Sequence, residues 1–293
     1  MSVTVADQIR EAFPGLPRAE RRVAHEVLSA YPVAGLETVA RLAERSAVSG
    51  PTVIRFTSRL GFDGYSAFQA ALILELEQRQ ASPLRQFEGK VNPGSDILDR
   101  SAVVLTACLE RTLAHLDRQA FTSAVERIAA APGRILTTGG RFSEISTLML
   151  SRHLEILRPG VRHLPQDQWI AYSLDVRKSD TIVVADFRRY QRITIDFARE
   201  WKRRGASLIL LTDPWMSPLA VDADIVLTAE VESPSPFDSQ IPCMGLCEAL
   251  IGGVIDQLGD ASRDRIADYD LLWDRQVFAY SDASESNLKW SHA

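Results

Sequence analysis

Between Ala6 and Leu76 the apolar residues recur at three- and four-residue spacing, with no stretch of two-residue alternation, and FPGLP, YPVAG, AVSG and GFDG interrupt the run. This pattern predicts a small, wholly helical unit. SPLRQFEGKVNPGSD, rich in proline, glycine and polar residues, predicts a linker over residues 81–96, between a first domain of residues 1–80 and a second of residues 97–280. Helical spacing returns in ILDRSAVVLTACLERTLAHL and AFTSAVERIAAA. Beyond Gly133 short β-rich runs (RILTTGG, TIVVADF, SLILLTD, DIVLTAE) alternate with longer helical ones such as SEISTLMLSRHLEIL and ITIDFAREWKRR, and VRHL adds a short strand. That alternation predicts a central parallel sheet flanked by helices. SQIPCMGLCEALIGGVIDQLG reads as a further long helix closing on Gly259, and residues 281–293 as a flexible tail. The expected fold class is α plus α/β.

Within the helical part, ETVARLAERSAVSGPTVIRFTSRLGF reads as two helices around a tight corner. Val39, Leu42 and Ala43 share a face of the first helix; Val53, Phe56 and Leu60 share a face of the second, with the compact Ala47 and Val48 between. This is helix-turn-helix spacing. Ser49 is expected to cap the second helix by accepting from the Thr52 amide, because Pro51 has none to offer, and Gly61 to end it in the left-handed conformation.

Composition sharpens the reading of that second helix. The 293-residue chain carries a formal net charge of −5, so any contact with nucleic acid must run through a local basic surface. VSGPTVIRFTSRLGF, residues 48–62, holds two arginines and no carboxylate. With Val53 and Phe56 turned inward, Thr52, Arg55 and Arg59 are expected to face outward, flanked by Ser49 and Ser58. Such a helix suits the major groove, where a carboxylate turned toward phosphate would reduce affinity. Arg18, Arg21 and Arg22, at the head of an earlier helix, are candidates for phosphate contacts.

TVARLAERSAVSGPTVIRFTSRLGFDGYSAFQAAL resembles the DNA-binding domain of the RpiR (MurR/RpiR) family of bacterial transcription regulators. The resemblance rests on Ser49, Arg55, Phe56, Leu60, Gly61, Phe62, Gly64 and Tyr65. It implies a sugar isomerase (SIS) domain after the helical unit, a homodimer or dimer of dimers, near-palindromic operator DNA as partner, and a small anionic effector, sugar phosphate or carboxylate. In SIS domains a Gly-rich turn after the first strand leads to a serine opening a helix, an anion-binding geometry; Gly139, Gly140 and Ser143 resemble it. After the third strand-like run the resemblance lapses. Where sugar-phosphate SIS domains carry a Ser-x-Ser-Gly-x-Thr loop, this chain reads ADFRRYQRIT, which offers Asp186, Arg188, Arg189 and Tyr190 in place of small hydroxyl residues. Guanidinium forks suit phosphate and carboxylate equally. The alternative for Arg188 and Arg189 is pairing with acids across a dimer contact. Thr212 is a further candidate for the same crevice.

Other chemistries find little support in the sequence. Glu144, Glu248 and His153 are the candidates for a proton-transferring base if the second half is an SIS-type isomerase or lyase with a helical appendage, and none belongs to a catalytic arrangement. A protein-binding scaffold is a third reading. Cys108, Cys243 and Cys247 are too few for a disulfide framework and point to a reducing cytosol; Cys243 and Cys247 are expected to be a buried, inert pair on one helix face. No metal-ligand spacing or cofactor motif is evident, and no apolar run is taken as a membrane span.

Overall fold

The computed structural model describes residues 4–29, 31–79, 82–90 and 96–286. The chain separates into two compact units, residues 1–86 and 87–293. In the first, α1 (Val5–Ala12), α2 (Arg18–Ser29), α3 (Val33–Leu36), α4 (Val39–Arg45), α5 (Gly50–Arg59) and α6 (Gly64–Arg79) surround a core of Ile9, Leu16, Val23, Val27, Leu42, Val53, Phe56, Phe68 and Leu72. Phe56 and Phe68 meet edge to face, with centroids 6.3 Å apart. α3 lies so close to α6 that a Cβ on Gly35 would stand 2.4 Å from the Leu72 side chain. Buried Glu75 of α6 ties the first helix down, accepting from the Val5 amide at 2.6 Å and from the Tyr31 hydroxyl.

α4 and α5 form the expected corner. α4 closes with the Ala47 amide donating to the Glu44 carbonyl at 3.0 Å and the Val48 amide to the Ala43 carbonyl at 2.9 Å. These paired bonds require a left-handed residue, and Ala47 supplies it at φ 50° although it bears a Cβ. α5 closes in the same way: Gly61, at φ 93°, donates to Ser58 at 3.0 Å and Phe62 donates to Thr57 at 3.1 Å.

Part of the expected linker is helical. α7 (Pro83–Lys90) starts on a proline, whose missing N–H is harmless in a first turn, and the Gln86 amide donates to the Ser82 carbonyl at 3.0 Å. Residues 81 and 91–95 lie outside the described residues.

The second unit begins with α8 (Ile97–His115) and α9 (Arg118–Ala130) and continues as an α/β fold. Strands β1 (Ile135–Gly139), β2 (Val161–His163), β3 (Thr181–Ala185), β4 (Ser207–Thr212) and β5 (Ile225–Thr228) make one parallel sheet in the order β2-β1-β3-β4-β5. Helices α10 (Glu144–Leu157), α11 (Trp169–Ser173), α12 (Arg192–Arg203), α13 (Ile241–Leu258) and α14 (Asp260–Ser286) complete it. Alternate strand residues feed two cores. Ile135, Val183, Ala185, Ile209 and Leu211 pack with α9, α10 and α13, whereas Leu136, Ile182, Val184, Leu208 and Leu210 pack with Trp169, Phe197 and Trp201. Covered on both faces, the strands are apolar almost throughout, as a parallel sheet requires. The strand order reverses between β1 and β3, and the crevice at their carboxyl ends is where ligands bind in open α/β sheets.

Two features differ from the sequence reading. α13 is long and apolar enough by length and composition to cross a membrane. Here it is a core helix, with Pro242, Cys243, Leu246, Cys247, Leu250, Ile251 and Val254 buried. α14 runs through Ser286, so the first residues of the expected tail are helical; residues 287–293 lie outside the described residues. All three cysteines are buried and unpaired; the hydrogen bond with Cys243, reinforced by burial, pushes the Cys247 thiol well up.

Candidate functional site

Two places hold the residues singled out by the sequence, one in each unit. On α5, Val53 and Phe56 are fully buried, and the exposed side chains are Pro51, Ile54, Arg55, Ser58 and Arg59. Ser49 is exposed at the N-cap position. Thr52 departs from expectation: it is buried, because it stands four residues before Phe56 and shares its face. The capping geometry differs as well. The Thr52 amide donates to the Ser49 backbone carbonyl at 2.9 Å, and the Ser49 hydroxyl meets the Thr52 hydroxyl at 3.0 Å.

The two arginines of α5 have different surroundings. Arg55 donates to the Thr52 hydroxyl at 3.1 Å, which steadies its guanidinium without neutralising it. Arg59 donates at 2.7 Å to Glu20, a buried carboxylate in the first turn of α2, with half of the Arg59 side chain still in solvent. Its charge is therefore already balanced within the domain. Arg18, Arg21 and Arg22 stand exposed on that same turn, and Arg21 also donates to the Leu16 carbonyl at 2.9 Å.

In the second unit the switch-point crevice is built from the ends of β1, β3 and β4. Gly139 has no room for a side chain: a Cβ would lie 2.7 Å from the Glu144 amide nitrogen and 3.0 Å from the Ala185 carbonyl. The Gly140 amide donates to that carbonyl at 3.0 Å and the Ser143 hydroxyl at 2.8 Å. Buried Ser143 thus fastens the β1–α10 turn to β3. Its hydroxyl proton is not directed into the crevice.

The hydroxyl of Thr212 is committed in the same way. It is fully buried, donates to the Asp186 carbonyl at 2.7 Å and accepts from the Ser217 amide at 3.0 Å. Arg188, expected to hold an anion from outside, forms a two-pronged pair with Asp238, with Nε 2.8 Å from both carboxylate oxygens. Its guanidinium also lies over the Trp215 ring, 5.2 Å from the centroid. The acid partner comes from within the subunit. Tyr190 donates to Asp213 at 2.7 Å, and fully buried Asp213 also accepts from the amides of Arg188 and Trp215. Arg189 stands apart. It is exposed, at φ 64°, and left-handed backbone at a bulky residue is a feature that clusters at ligand clamps.

Asp213 and Asp238 went unnoticed in the sequence; Asp186, expected in place of a small hydroxyl residue, is buried and accepts from the Ser217 hydroxyl. Asp213 directly follows the Thr212 candidate and was open to the same reasoning; Asp238 lies in a Ser/Pro-rich loop with no local signal. Lys90, at the end of α7, adds a cation near Arg188 and Asp238; burial, then Arg188, pushes its ammonium down.

The base candidates do not converge. Glu144 and His153 lie on one helix, roughly 13 Å apart along its axis; burial raises the Glu144 carboxyl, while His153 is bound to the Met149 carbonyl. Glu248 is exposed on α13. Among the described residues no cluster of His, Cys, Asp or Glu suits a metal ion.

A helix-turn-helix unit followed by a doubly wound α/β unit with a switch-point crevice defines a two-domain class, and comparison with known proteins assigns the family. Residues 3–79 match the helix-turn-helix domain of the rpiR family, and residues 128–251 match the SIS domain. The chain belongs to the RpiR family. It is 26% identical over 256 residues to the HTH-type transcriptional regulator HexR of Pseudomonas aeruginosa, across 85% of this chain and 88% of that one. Its fold is similar to that of the Vibrio vulnificus NanR protein, solved with ManNAc-6P: TM-score 0.54, 20% identity, 91% of this chain and 97% of that one. The sugar isomerase domain of an RpiR transcription factor from Sphaerobacter thermophilus gives a TM-score of 0.55 at 21% identity, over 60% of this chain and 99% of that one.

Proposed function

We propose that this chain is a cytosolic transcriptional regulator that binds operator DNA through α5 and responds to a small anionic metabolite in the SIS crevice. The observation that carries the reading is the outward face of α5. It presents Arg55 to solvent with no carboxylate partner among the described residues, on a helix that has no acid of its own. In the major groove Arg55 reads guanine, Ser49 and Ser58 reach bases or phosphates, and Arg18, Arg21 and Arg22 follow the backbone. Arg59, balanced by Glu20, contributes less. A two-fold dimer sets two such helices on half-sites about one helical turn apart.

For the effector, Arg189, exposed beside the crevice and without an acid partner among the described residues, is assigned the anionic group. NanR was solved with ManNAc-6P, which makes sugar phosphates the first class to test. Occupation favours one arrangement of the dimer and so changes the spacing of the recognition helices, a shift between pre-existing states.

Titrating the protein against fragments of bacterial genomic DNA at two salt concentrations tests the first half. Affinity is expected to fall steeply with salt while preference for particular fragments persists. Binding that is insensitive to both salt and sequence removes the regulator assignment. Thermal shift against sugar phosphates, sugar acids and simple carboxylates tests the second half, since a ligand of the folded state raises its stability. The shift is expected to vanish in Arg189→Ala with the unliganded melting temperature little changed.

A further inference from the structure

The outward face of α5 contains one side chain that electrostatics does not explain. Ile54 is 45% exposed, adjacent to Arg55 in sequence and flanked on its face by Pro51 and Ser58. An aliphatic side chain in water forfeits its burial energy, and the helix has no structural use for it there, since Val53 and Phe56 already fill the core side. The polar residue expected in this half of the helix, Thr52, is buried with its hydroxyl between Ser49 and Arg55. Apart from Ser49 at its cap, the side chains that the first two turns offer outward are therefore Pro51, Ile54 and Arg55, followed by Ser58.

In the major groove each base pair presents a distinct pattern, and thymine alone presents a methyl group. Arg55 supplies a two-pronged donor for guanine but cannot recognise a methyl. Ile54 can. We propose that Ile54 is a specificity-determining residue that packs on a thymine 5-methyl group, within a base pair or two of the guanine read by Arg55. This rests on the reading of α5 as a recognition helix and adds to it the base class recognised beside guanine. Removing the methyl from DNA, or the side-chain carbons from the protein, then costs the same contact. Removing both costs no more than the larger of the two.

The experiment uses the full-length protein and a duplex enriched by it from a random-sequence pool. Thymines in that duplex are replaced one at a time by deoxyuridine, which keeps the base pair and lacks only the methyl, and binding is followed by fluorescence anisotropy. The wild type is expected to lose about fourfold in affinity at one thymine per half-site, the size of one buried carbon. Ile54→Ala should lose at least as much on the thymine duplex and nothing further on the deoxyuridine duplex, whereas Ile54→Val should retain part of the discrimination. Because the side chain faces solvent, circular dichroism of both variants should match the parent. A wild type indifferent to every deoxyuridine overturns the inference and leaves the DNA-binding reading standing; so does an Ile54→Ala variant that still discriminates. If no duplex is enriched at all, the DNA-binding reading itself fails.

Discussion

Arg55 on α5 and Arg188 after β3 were expected from sequence to do the same work, and their surroundings differ completely. Arg55 is exposed, with a hydroxyl to steady it and no carboxylate partner among the described residues. Arg188 is 7% exposed, locked on Asp238 and stacked over Trp215. The difference lies in how each side chain is positioned. On a helix the periodicity of the sequence decides which way a residue points, so once Val53 and Phe56 are buried, Arg55 must face water. In a loop at the end of a sheet, neighbours come from distant segments: Asp238 is fifty residues away in the chain. A cluster of arginines in such a loop is as compatible with an internal clamp as with a ligand site.

The contrast is broken most severely by Arg188→Ala, which leaves Asp238 without its two-pronged partner. It is expected to destabilise the second unit by roughly 3 kcal/mol, visible as a lower denaturation midpoint. An unchanged midpoint would return Arg188 to the list of ligand contacts. Arg55→Ala is expected to do the reverse, costing about 1–3 kcal/mol in operator affinity with no change in melting temperature. Arg59→Ala lies between: removing the partner of buried Glu20 should cost about 1–2 kcal/mol of stability, reduced because the guanidinium is half in solvent, together with a smaller loss of DNA affinity than Arg55→Ala.

The two units should also answer acid with opposite signs. Burial raises the Glu75 carboxyl of the first unit, against hydrogen bonds from Tyr31 and the Val5 amide. Its contribution is therefore full below the unfolded value of about 4.3 and is lost as pH rises through the folded value. For Asp180 in the second unit, burial is outweighed by hydrogen bonds from the Arg134 side chain and the amides of Arg177 and Arg134, and its pKa is lowered. That contribution is full above the unfolded value of about 3.9 and is lost as pH falls through the folded one. Amide hydrogen exchange from about pH 3 to 7, corrected for intrinsic exchange rates, should show Glu75→Gln flattening the profile of the first unit and Asp180→Asn that of the second. Identical profiles in parent and variants would refute both assignments. The smallest change expected is a gain. Ala47→Gly relieves a left-handed alanine at the α4–α5 corner and should stabilise the first unit by about 0.5–1 kcal/mol, read as a modest rise in melting temperature.

How much was legible in the sequence follows the same division. The five strands, their parallel arrangement and the helix-turn-helix corner were all readable, because alternation, apolar runs and the Gly61 stop are local signals. Thr52 was misplaced although periodicity was sufficient to place it: four residues before Phe56, it had to turn inward. The reading had followed its polarity instead. The sequence placed its candidate crevice at the ends of β1, β3 and β4; there Ser143 and Thr212 are engaged by backbone carbonyls at the end of β3, and no local pattern announces such partners. Asp213 could have been suspected from its position after β4. Asp238 could not.

The closeness of backbone at Gly139 bears on how a signal could leave this crevice. With no gap for even one methyl between the β1 turn, the start of α10 and the end of β3, those three pieces behave as a single keystone. For the metabolite proposed above, this turn is an anvil rather than a hinge. On that proposal, displacement starts not here but at the exposed Arg189 and the segment leading into α12.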